Sequence, residues 1–415
     1  MTLLRMQGGR PLSGRIRVQR AKNAVLPMLA AALMAEGEVV LRDCPRLTDV
    51  ENMCRILRRL GCTVGWQKND IHIVPGEHVS FEIPEDLSGL LRSSVFLLGP
   101  IIARCGLAEA AYPGGCEIGL RPIDQHLKGL RALGVDIREE HGRILCRAEG
   151  LCGANIVLEF PSVGATENIM MAACLAKGET TIYNAAMEPE IADLAQLLRS
   201  MGARISGAGT GTIRVQGVSR LNGADHIPMP DRIAAGTLMA AAAVTGGSVC
   251  VEGARAEEMR AVIEKFREAG CAVEEGEDCL SIERSGPLKP VQLSTQPYPG
   301  FPTDLQSLFL SMACAAQGVS VIVENLFENR FGAAAQLRRM GADIRVHERT
   351  ALVRGGKLLG ARVTAGDLRA GAALVVAGLA AEGYTEIEGV DRIDRGYEHL
   401  EQDLASLGAR IWRVD

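Results

Sequence analysis

A five-residue phrase that ends in glycine recurs six times along the chain, and it constrains the fold more than any other feature. The phrase reads Leu-x-x-Leu-Gly or a close variant, and its glycines are Gly61, Gly134, Gly202, Gly270, Gly341 and Gly408. Neighbouring glycines stand 67 to 73 residues apart. A fixed interval of this kind indicates tandem copies of one structural unit. The chain is therefore predicted to hold six units of about 70 residues.

Local signals divide the first copy into elements. An Ala- and Leu-rich segment predicts a helix that ends near Gly37, and Asp49 is a candidate N-cap for a second helix that ends at Gly61. Alternating apolar residues around a Lys-Asn-Asp turn predict a hairpin. The predicted elements are helix 21–35, strand 39–41, a helix between Asp49 and Gly61, strands 63–66 and 71–74, and a last strand 79–83. Each unit is thus predicted to be βαβαββ.

The two ends of the chain predict how the units are grouped. The sixth copy stops with only the first strand of its hairpin, whereas two strand-like segments, 3–7 and 15–19, precede the first helix. We therefore expect residues 1–21 to complete the last unit. This grouping predicts an α/β protein of two domains with three βαβαββ repeats each. The domains are residues 22–228 and residues 1–21 together with 229–415, and a cleft between them is the expected ligand site.

Composition limits the class of protein. The 415 residues are 47% hydrophobic but only 4% aromatic, so the predicted cores consist of Ala, Leu, Val and Ile. No signal peptide and no long apolar run is recognisable, which predicts a cytoplasmic protein without a membrane segment. The twelve cysteines form no Cys-x-x-Cys pair, so reduced thiols are expected and a zinc site is not. The net charge of −5 gives no reason to expect nucleic acid as a partner.

The repeat register brings cationic residues to equivalent positions. When the units are aligned on the start of the first helix, the residues there are Lys22, Arg92, Ser162, Arg232, Asp304 and Arg369. Ser and Asp are ordinary N-caps, but Lys and Arg are disfavoured at a helix N-terminus by the helix dipole. Their recurrence at this position, beside free backbone N–H groups, favours binding sites for anions over simple surface charge.

One loop stands out for its length and its residues. It runs from Pro113 to Asp124 as Pro-Gly-Gly-Cys-Glu-Ile-Gly-Leu-Arg-Pro-Ile-Asp. Cys116 is the one cysteine in a polar, Gly-rich loop, and Arg121 is close to it in sequence. A thiol with a pKa of about 8.5 can deliver a proton or attack near neutral pH. The sequence therefore predicts a chemical role for Cys116, with inert packing as the alternative.

These motifs together resemble the UDP-N-acetylglucosamine 1-carboxyvinyltransferases, which are enolpyruvyl transferases of the EPSP synthase superfamily. The resemblance covers nearly the whole chain, and it rests on Ala21–Pro27, Pro113–Asp124, Ser162–Thr166, Phe301–Asp304, Glu328–Arg330, Asp367–Ala370 and Ile393–Glu398. It implies two inside-out α/β barrel domains with the active site in the cleft between them. It also implies transfer of enolpyruvate from phosphoenolpyruvate to the 3-hydroxyl of UDP-N-acetylglucosamine, with release of phosphate, in peptidoglycan synthesis. No cofactor, metal or protein partner is implied.

The resemblance also implies roles for individual residues. The implied catalytic residues are Cys116 as the general acid, Asp304 as the base for the sugar hydroxyl, Lys22 and Arg395 at the phosphate, and Asp367 in proton handling. The implied substrate-binding residues are Lys22, Asn23, Arg92, Arg121, Pro122, Ile123, Asp124, Ser162, Val163, Gly164, Arg232, Thr303, Asp304, Leu326, Arg330, Arg369 and Arg395. Among them, Ser162–Gly164 is the implied diphosphate cradle, and Arg121–Asp124 is the implied frame for uracil.

The implied reaction is an addition followed by an elimination. Protonation of the methylene carbon of phosphoenolpyruvate lets the sugar oxygen attack, and loss of phosphate and a proton restores the enol ether. Two alternatives remain open on the residues alone. One is the related transferase that acts on shikimate 3-phosphate, and the other is a non-catalytic protein that binds the sugar nucleotide.

Overall fold

The computed structural model describes residues 2–89, 91–112 and 123–414. Within them the α-helices are α1 Lys22–Ala32, α2 Thr48–Arg59, α3 Glu85–Ser88, α4 Leu98–Cys105, α5 Asp124–Ala132, α6 Val163–Ala173, α7 Pro189–Ser200, α8 Arg232–Thr245, α9 Arg260–Glu268, α10 Gln306–Cys314, α11 Ala333–Arg339, α12 Leu368–Ala380, α13 Val390–Ile393 and α14 Leu400–Ser406. Short 3-10 helices cover Arg92–Leu97, Ala256–Glu258, Thr303–Leu305 and Arg330–Gly332.

The strands are short and regularly distributed between these helices. They are β1 Leu3–Gln7, β2 Ser13–Arg17, β3 Val39–Leu41, β4 Thr63–Gln67, β5 Asp70–Val74, β6 Leu107–Ala111, β7 Asp136–Glu140, β8 Arg143–Arg147, β9 Asn155–Val157, β10 Glu179–Tyr183, β11 Arg204–Ser206, β12 Thr212–Gln216, β13 Ala224–His226, β14 Ser248–Glu252, β15 Ala272–Glu275, β16 Cys279–Glu283, β17 Gln292–Ser294, β18 Val319–Val323, β19 Asp343–His347, β20 Thr350–Arg354, β21 Arg362–Thr364, β22 Tyr384–Glu388 and β23 Arg410–Val414.

The chain forms two compact units, each much larger than one of the repeats of about 70 residues. The N-terminal unit takes in the described residues between Arg20 and Met229, and the C-terminal unit takes in those of Met1–Gln19 and Pro230–Asp415. The sheets of the N-terminal unit have the strand orders β13-β3-β5-β4, β6-β8-β7 and β11-β12-β10-β9. The sheets of the C-terminal unit have the orders β15-β16-β14-β2, β17-β18-β20-β19 and β21-β22-β1-β23. Each unit therefore repeats one small α/β arrangement three times.

The six glycines of the recurring phrase share one backbone conformation. Each stands two residues after the last residue of α2, α5, α7, α9, α11 or α14, and each has a φ between 89° and 108°. This left-handed region is disfavoured for residues with a Cβ, and it lets a helix end so that the chain can turn into the next strand. The regular spacing of these glycines in the sequence therefore reflects the end of one helix in every repeat.

The most apolar helices lie in the middle of each unit, with the sheets around them. In the C-terminal unit α8, α10 and α12 pack against one another. Residues Ala240–Ala243 of α8 are fully buried, and α12 is buried from Arg369 to Leu379. A helix that is apolar on every side must be buried on every side. Placing helices inside and sheets outside gives the inside-out α/β arrangement, so the predicted fold class is confirmed.

Three details of the predicted elements are wrong. Residues 79–83 form a single bridge, Glu82 to Glu109, instead of a strand, because the chain turns into α3 directly after Pro84. Asp49 is not an N-cap, since α2 begins at Thr48 and Leu47 precedes it. The N-terminal strands also belong to two different sheets. β1 lies between β22 and β23 in the last sheet, but β2 pairs in parallel with β14.

Three cysteines that lie in or next to helices are packing residues. Cys54, Cys174 and Cys314 are buried and free, and burial raises the pKa of each thiol to about 12. At neutral pH they are therefore protonated and behave as small apolar side chains. Within the described part of the chain, no helix combines the length and the apolar character needed to span a bilayer.

Candidate active site

The predicted site residues fall into two groups, one in each unit. Those in the N-terminal unit are Lys22, Asn23, Arg92, Ile123, Asp124, Ser162, Val163 and Gly164. Those in the C-terminal unit are Arg232, Thr303, Asp304, Leu326, Arg330, Asp367, Arg369 and Arg395. Cys116, Arg121 and Pro122 lie outside the described residues, and so does the side chain of Arg92. The expected site between the two domains stays a prediction.

The starts of the three central helices carry five of the predicted residues of the C-terminal unit, Arg232, Thr303, Asp304, Asp367 and Arg369. Asp231 caps α8 by accepting hydrogen bonds from the backbone N–H groups of Ile233 and Ala234. Asp304 lies in the 3-10 turn that leads into α10. Asp367 caps α12 in the same way as Asp231 caps α8. Sequence positions about 70 residues apart thus become neighbours because each repeat begins its central helix at the same place.

Asp304 forms the centre of a carboxylate–arginine cluster. Its Oδ1 accepts a hydrogen bond of 2.6 Å from Nη2 of Arg330, and its Oδ2 accepts one of 3.1 Å from Nη2 of Arg369. Both arginine side chains are buried, whereas the side chain of Asp304 keeps a quarter of its surface exposed. A partly exposed carboxylate that binds two buried guanidinium groups is held in a fixed orientation.

Arg369 is a permanent cation whose side chain is almost inaccessible to solvent. It is the second residue of α12, and its Nη1 lies 3.4 Å from the hydroxyl of Tyr397. Burial works against its charge, but Asp304 and Tyr397 work in its favour, and the net effect raises the pKa of Arg369. The guanidinium is therefore charged at every pH at which the protein is folded, and a buried charge of this kind attracts anions strongly.

A buried carboxylate that the sequence analysis missed anchors the same region. Glu324 directly follows β18 and is fully buried. It accepts hydrogen bonds from the hydroxyls of Thr295 at 2.9 Å and Thr303 at 3.0 Å, and from the backbone N–H groups of Leu326 and Phe327 at 2.9 and 3.2 Å. Glu324 thus fixes the turn that carries Asp304 and the segment that leads to Arg330. The only signal in the sequence is an acidic residue at the end of an apolar strand.

The remaining predicted residues of this unit are placed as follows. Arg232 is the first residue of α8, is buried, and has its guanidinium carbon 5.7 Å from the ring centre of Tyr298. Asp367 uses Oδ1 as the helix cap, with bonds of 2.8 and 3.0 Å from the backbone N–H groups of Arg369 and Ala370. Arg395 is half-buried in the segment after α13.

In the N-terminal unit, Lys22 is paired with a residue that the sequence analysis had assigned to capping. Lys22 is the first residue of α1, and its Nζ lies 3.1 Å from Oδ2 of Asp49 in the first turn of α2. The two side chains are 12% and 4% exposed, so the pair is largely desolvated. Asp49 therefore orients the Lys22 ammonium group, which explains why an acidic residue stands at the start of α2.

Ser162, Val163 and Gly164 form the start of α6. Ser162 is the N-cap, and its Oγ accepts a hydrogen bond of 3.3 Å from the backbone N–H of Ala165. A Cβ on Gly164 would come within 2.8 Å of the Phe96 ring and 3.1 Å of the His126 ring, so only glycine fits there. Backbone N–H groups at such a helix start can bind an oxyanion, as the predicted diphosphate cradle requires.

The predicted frame for uracil is described only in part. Ile123 is buried and directly precedes α5, and Asp124 is the exposed first residue of that helix. Oδ2 of Asp124 accepts a hydrogen bond of 2.9 Å from the side-chain amide of Gln125. Gln125 in turn accepts one of 3.0 Å from the backbone N–H of Glu159. Gln125 thus links the side chain of Asp124 to the backbone at Glu159, in another segment of the same unit.

The chemistry available to these residues follows from their charges. Buried guanidinium and ammonium groups and helix N-termini bind phosphate and carboxylate groups. An oriented carboxylate can accept a proton from a hydroxyl. Within each unit the groups therefore suit binding of phosphate or carboxylate groups, and in the C-terminal unit Asp304 is a carboxylate that can accept a proton.

Comparison with known proteins defines first the class and then the family. The family model described as EPSP synthase (3-phosphoshikimate 1-carboxyvinyltransferase) matches residues 6–404. The crystal structure of the enolpyruvyl transferase NikO from Streptomyces tendae has a TM-score of 0.90 and 26% sequence identity, and the match covers 100% of this chain and 99% of that one. The class is therefore that of the EPSP synthase-like proteins.

Two curated relatives are nearly as long as this chain and share about half of its residues. UDP-N-acetylglucosamine 1-carboxyvinyltransferase of Sorangium cellulosum is 50% identical over 418 residues, which is 100% of this chain and 99% of the relative. UDP-N-acetylglucosamine 1-carboxyvinyltransferase 2 of Caldanaerobacter subterraneus is 49% identical over the full length of both proteins. The chain belongs to the UDP-N-acetylglucosamine 1-carboxyvinyltransferase family within the EPSP synthase class, and the resemblance inferred from its motifs is confirmed.

Proposed function

We propose that the chain transfers the enolpyruvyl group of phosphoenolpyruvate to the 3-hydroxyl of UDP-N-acetylglucosamine, with release of phosphate. The observation that carries the proposal is full-length identity of about one half to transferases of that name. The family model is named for transfer to 3-phosphoshikimate, but it describes the broader class. The reaction proposed here is the first committed step of peptidoglycan synthesis.

The described residues support separate roles for a base and for anion-binding residues in this reaction. Asp304 is the proposed base for the sugar hydroxyl, since two buried arginines orient its partly exposed carboxylate. Lys22, Arg330, Arg369 and Arg395 are the proposed ligands of the phosphate and carboxylate of phosphoenolpyruvate and of the adduct. Arginine suits such groups because it can donate two parallel hydrogen bonds.

The proposed chemistry is addition followed by elimination. A proton adds to the methylene carbon of phosphoenolpyruvate, and the sugar oxygen then bonds to the neighbouring carbon while Asp304 takes its proton. The tetrahedral adduct next loses phosphate, and loss of a proton from the new methyl group restores the double bond. We assign the first proton to Cys116 on its sequence context, and the handling of the last proton to Asp367.

The sugar nucleotide is assigned to the helix starts of both units. Asn23, Arg92, Ser162–Gly164, Arg232, Thr303 and Leu326 are the proposed contacts, together with Arg121–Asp124 for uracil. A cytoplasmic location belongs to the same proposal, because both substrates carry several negative charges and do not cross a bilayer unaided.

The test is release of phosphate by the purified protein with each acceptor in turn. With phosphoenolpyruvate and UDP-N-acetylglucosamine, phosphate and a carboxyvinyl sugar nucleotide should form in equal amounts, whereas shikimate 3-phosphate should give neither. Asp304→Asn keeps the shape of the side chain and should lower kcat by about a hundredfold or more, the range expected when a general base is removed.

Two results would replace the proposal with one of its alternatives. Phosphate release with shikimate 3-phosphate alone would make the chain the related transferase. Calorimetric binding of UDP-N-acetylglucosamine without any phosphate release would make it a binding protein. A melting temperature of Asp304→Asn equal to that of the unchanged protein ensures that lost activity does not reflect unfolding.

A further inference from the structure

Tyr397 is a buried tyrosine to which neither the sequence motifs nor the proposed reaction assigns a role. Only 3% of its surface is exposed, and it lies in the segment after α13 in the C-terminal unit. Its hydroxyl oxygen is 2.8 Å from Oγ1 of Thr237 in α8 and 3.4 Å from Nη1 of Arg369 in α12. One hydroxyl thus contacts two of the three central helices.

The direction of each hydrogen bond can be deduced from the donors present. The hydroxyl of Thr237 lies 2.9 Å from the carbonyl oxygen of Ile233, which can only accept, so Thr237 donates there. Thr237 has one hydroxyl proton, and it must therefore accept from Tyr397. Arg369 carries only donors, so it donates to the oxygen of Tyr397. The chain of donation runs from Arg369 through Tyr397 and Thr237 to the backbone.

The protonation state that this arrangement needs is also favoured. Burial raises the pKa of the Tyr397 phenol, against the opposing effect of the nearby Arg369. The phenol is therefore neutral near pH 7 and keeps the proton that it donates to Thr237.

The backbone around Tyr397 is held on both sides by one residue. The side-chain amide of Gln19 donates a hydrogen bond of 3.0 Å to the carbonyl of Gly396 and accepts one of 3.1 Å from the N–H of Glu398. Gly396 itself has no room for a Cβ, which would lie 2.6 Å from Leu368. The ring and the hydroxyl of Tyr397 are therefore held in place independently of Arg369.

We propose that Tyr397 is a positioning residue for the proposed reaction: its hydroxyl, oriented by Thr237, holds the Arg369 guanidinium where it binds the Asp304 carboxylate. Arg369 reaches Asp304 with Nη2 and Tyr397 with Nη1, so the two contacts together fix the plane of the guanidinium. Arg330 holds the other oxygen of Asp304. Among the described residues, the hydroxyl of Tyr397 bonds with Thr237 and Arg369, and it acts on Asp304 through Arg369.

The first variant is Tyr397→Phe, which removes the hydroxyl and keeps the ring. Because the 3.4 Å contact is a long hydrogen bond, its loss should lower kcat about fivefold, which corresponds to about 1 kcal/mol. The KM for UDP-N-acetylglucosamine should change less than about twofold, whereas the KM for phosphoenolpyruvate should rise, because Arg369 is also a proposed ligand of that substrate. A residue that only fills space would leave kcat unchanged in this variant.

Variants of Thr237 test whether the hydrogen bonds run from Arg369 through Tyr397 to Thr237. Thr237→Val removes the acceptor for the Tyr397 proton without changing the size of the side chain, and it should lower kcat by a similar factor. Thr237→Ser retains the hydroxyl and should recover most of the activity. The double variant Thr237→Val with Tyr397→Phe should be no slower than Tyr397→Phe alone, because both changes break one chain of bonds.

A matched control and a second readout separate this proposal from the proposed function. Tyr384→Phe alters an exposed tyrosine of the same unit and should leave kcat unchanged. Crystal structures of the unchanged protein and of Tyr397→Phe should show the Arg369 guanidinium turned away from Asp304 only in the variant. This comparison needs no substrate, so it remains decisive even if no transfer is detected. An unmoved Arg369 in Tyr397→Phe, or a kcat equal to that of the unchanged protein, refutes the positioning role.

Discussion

Two buried glutamates of this protein show that the surroundings of a carboxyl group determine its hydrogen bonding and its pKa. Glu324 accepts hydrogen bonds from four donors and organises the turn before Asp304. Glu167, in α6, is just as deeply buried, but neither of its oxygens has a hydrogen-bond partner among the described residues. Burial, and after it the charges of Glu190 and Glu188, raises the pKa of Glu167 well above its usual value.

This difference predicts a pH-dependent stability. Between the ordinary pKa of a glutamate and the raised pKa of Glu167, the unfolded chain has lost its proton and the folded chain has kept it. Stability therefore falls as pH rises through this window, by at most about 1.4 kcal/mol per pH unit. Glu167→Gln removes the titration, so the variant should melt at a higher temperature than the unchanged protein at pH 8 and at the same temperature at pH 4.

The control for this prediction is Glu179→Gln, which changes an exposed glutamate of the same unit. It should shift the melting temperature little at either pH. If Glu167→Gln were less stable than the unchanged protein at pH 8, the carboxylate would be ionised and paired in the folded state.

At the scale of residues, the sequence predicted charged side chains at equivalent helix starts but not how these side chains pair. Lys22, Asp304 and Arg369 could be selected because the repeat aligns them. Their partners could not, since Asp49 was taken for a cap and Tyr397 has no counterpart in the phrase. Pairing depends on side-chain directions across separate helices, and the spacing along one chain does not contain that information.

Helices α5 and α6 approach each other closely at a glycine. In the N-terminal unit α5 packs against α6, and a Cβ on Gly129 would lie 2.1 Å from Cδ1 and 2.4 Å from Cγ1 of Ile169. Ile169 is fully buried, so it has no free space into which it can move. Gly129→Ala should therefore destabilise the protein by about 1–3 kcal/mol, the usual cost of overpacking, although alanine is the better helix former.

A second substitution makes this prediction specific. Ile169→Val removes the Cδ1 atom that an alanine at position 129 would meet, so it should restore part of the stability lost in Gly129→Ala. Chemical denaturation of the single and double variants measures the coupling. Additive losses would show that the glycine is needed for another reason.

At the scale of elements, the sequence predicted best where a local signal specifies the backbone. The six phrase glycines end six helices because each needs the left-handed conformation. The hairpin predicted in the first repeat is confirmed, since β4 and β5 pair with each other in the antiparallel direction. The strand predicted at 79–83 is wrong because an apolar pattern does not reveal where the next helix begins.

At the scale of the whole molecule, repetition made the fold predictable and also limited the prediction. Six aligned copies were enough to infer three βαβαββ repeats in each part of the chain. They could not predict that β1 and β2 enter different sheets, because that choice depends on which neighbouring strand offers an unpaired edge. The roles of Cys116, Arg121 and Pro122 stay predictions from the sequence.

The most direct test of the proposed transfer is the reaction in deuterium oxide, followed by NMR and mass spectrometry of the sugar nucleotide. Addition and elimination place a solvent proton on the methylene carbon before the double bond is restored. The account predicts a carboxyvinyl product, formed only when both substrates are present, with deuterium in part of its vinyl positions. A product whose vinyl group carries no deuterium would contradict the mechanism, and the absence of any product with UDP-N-acetylglucosamine would contradict the function.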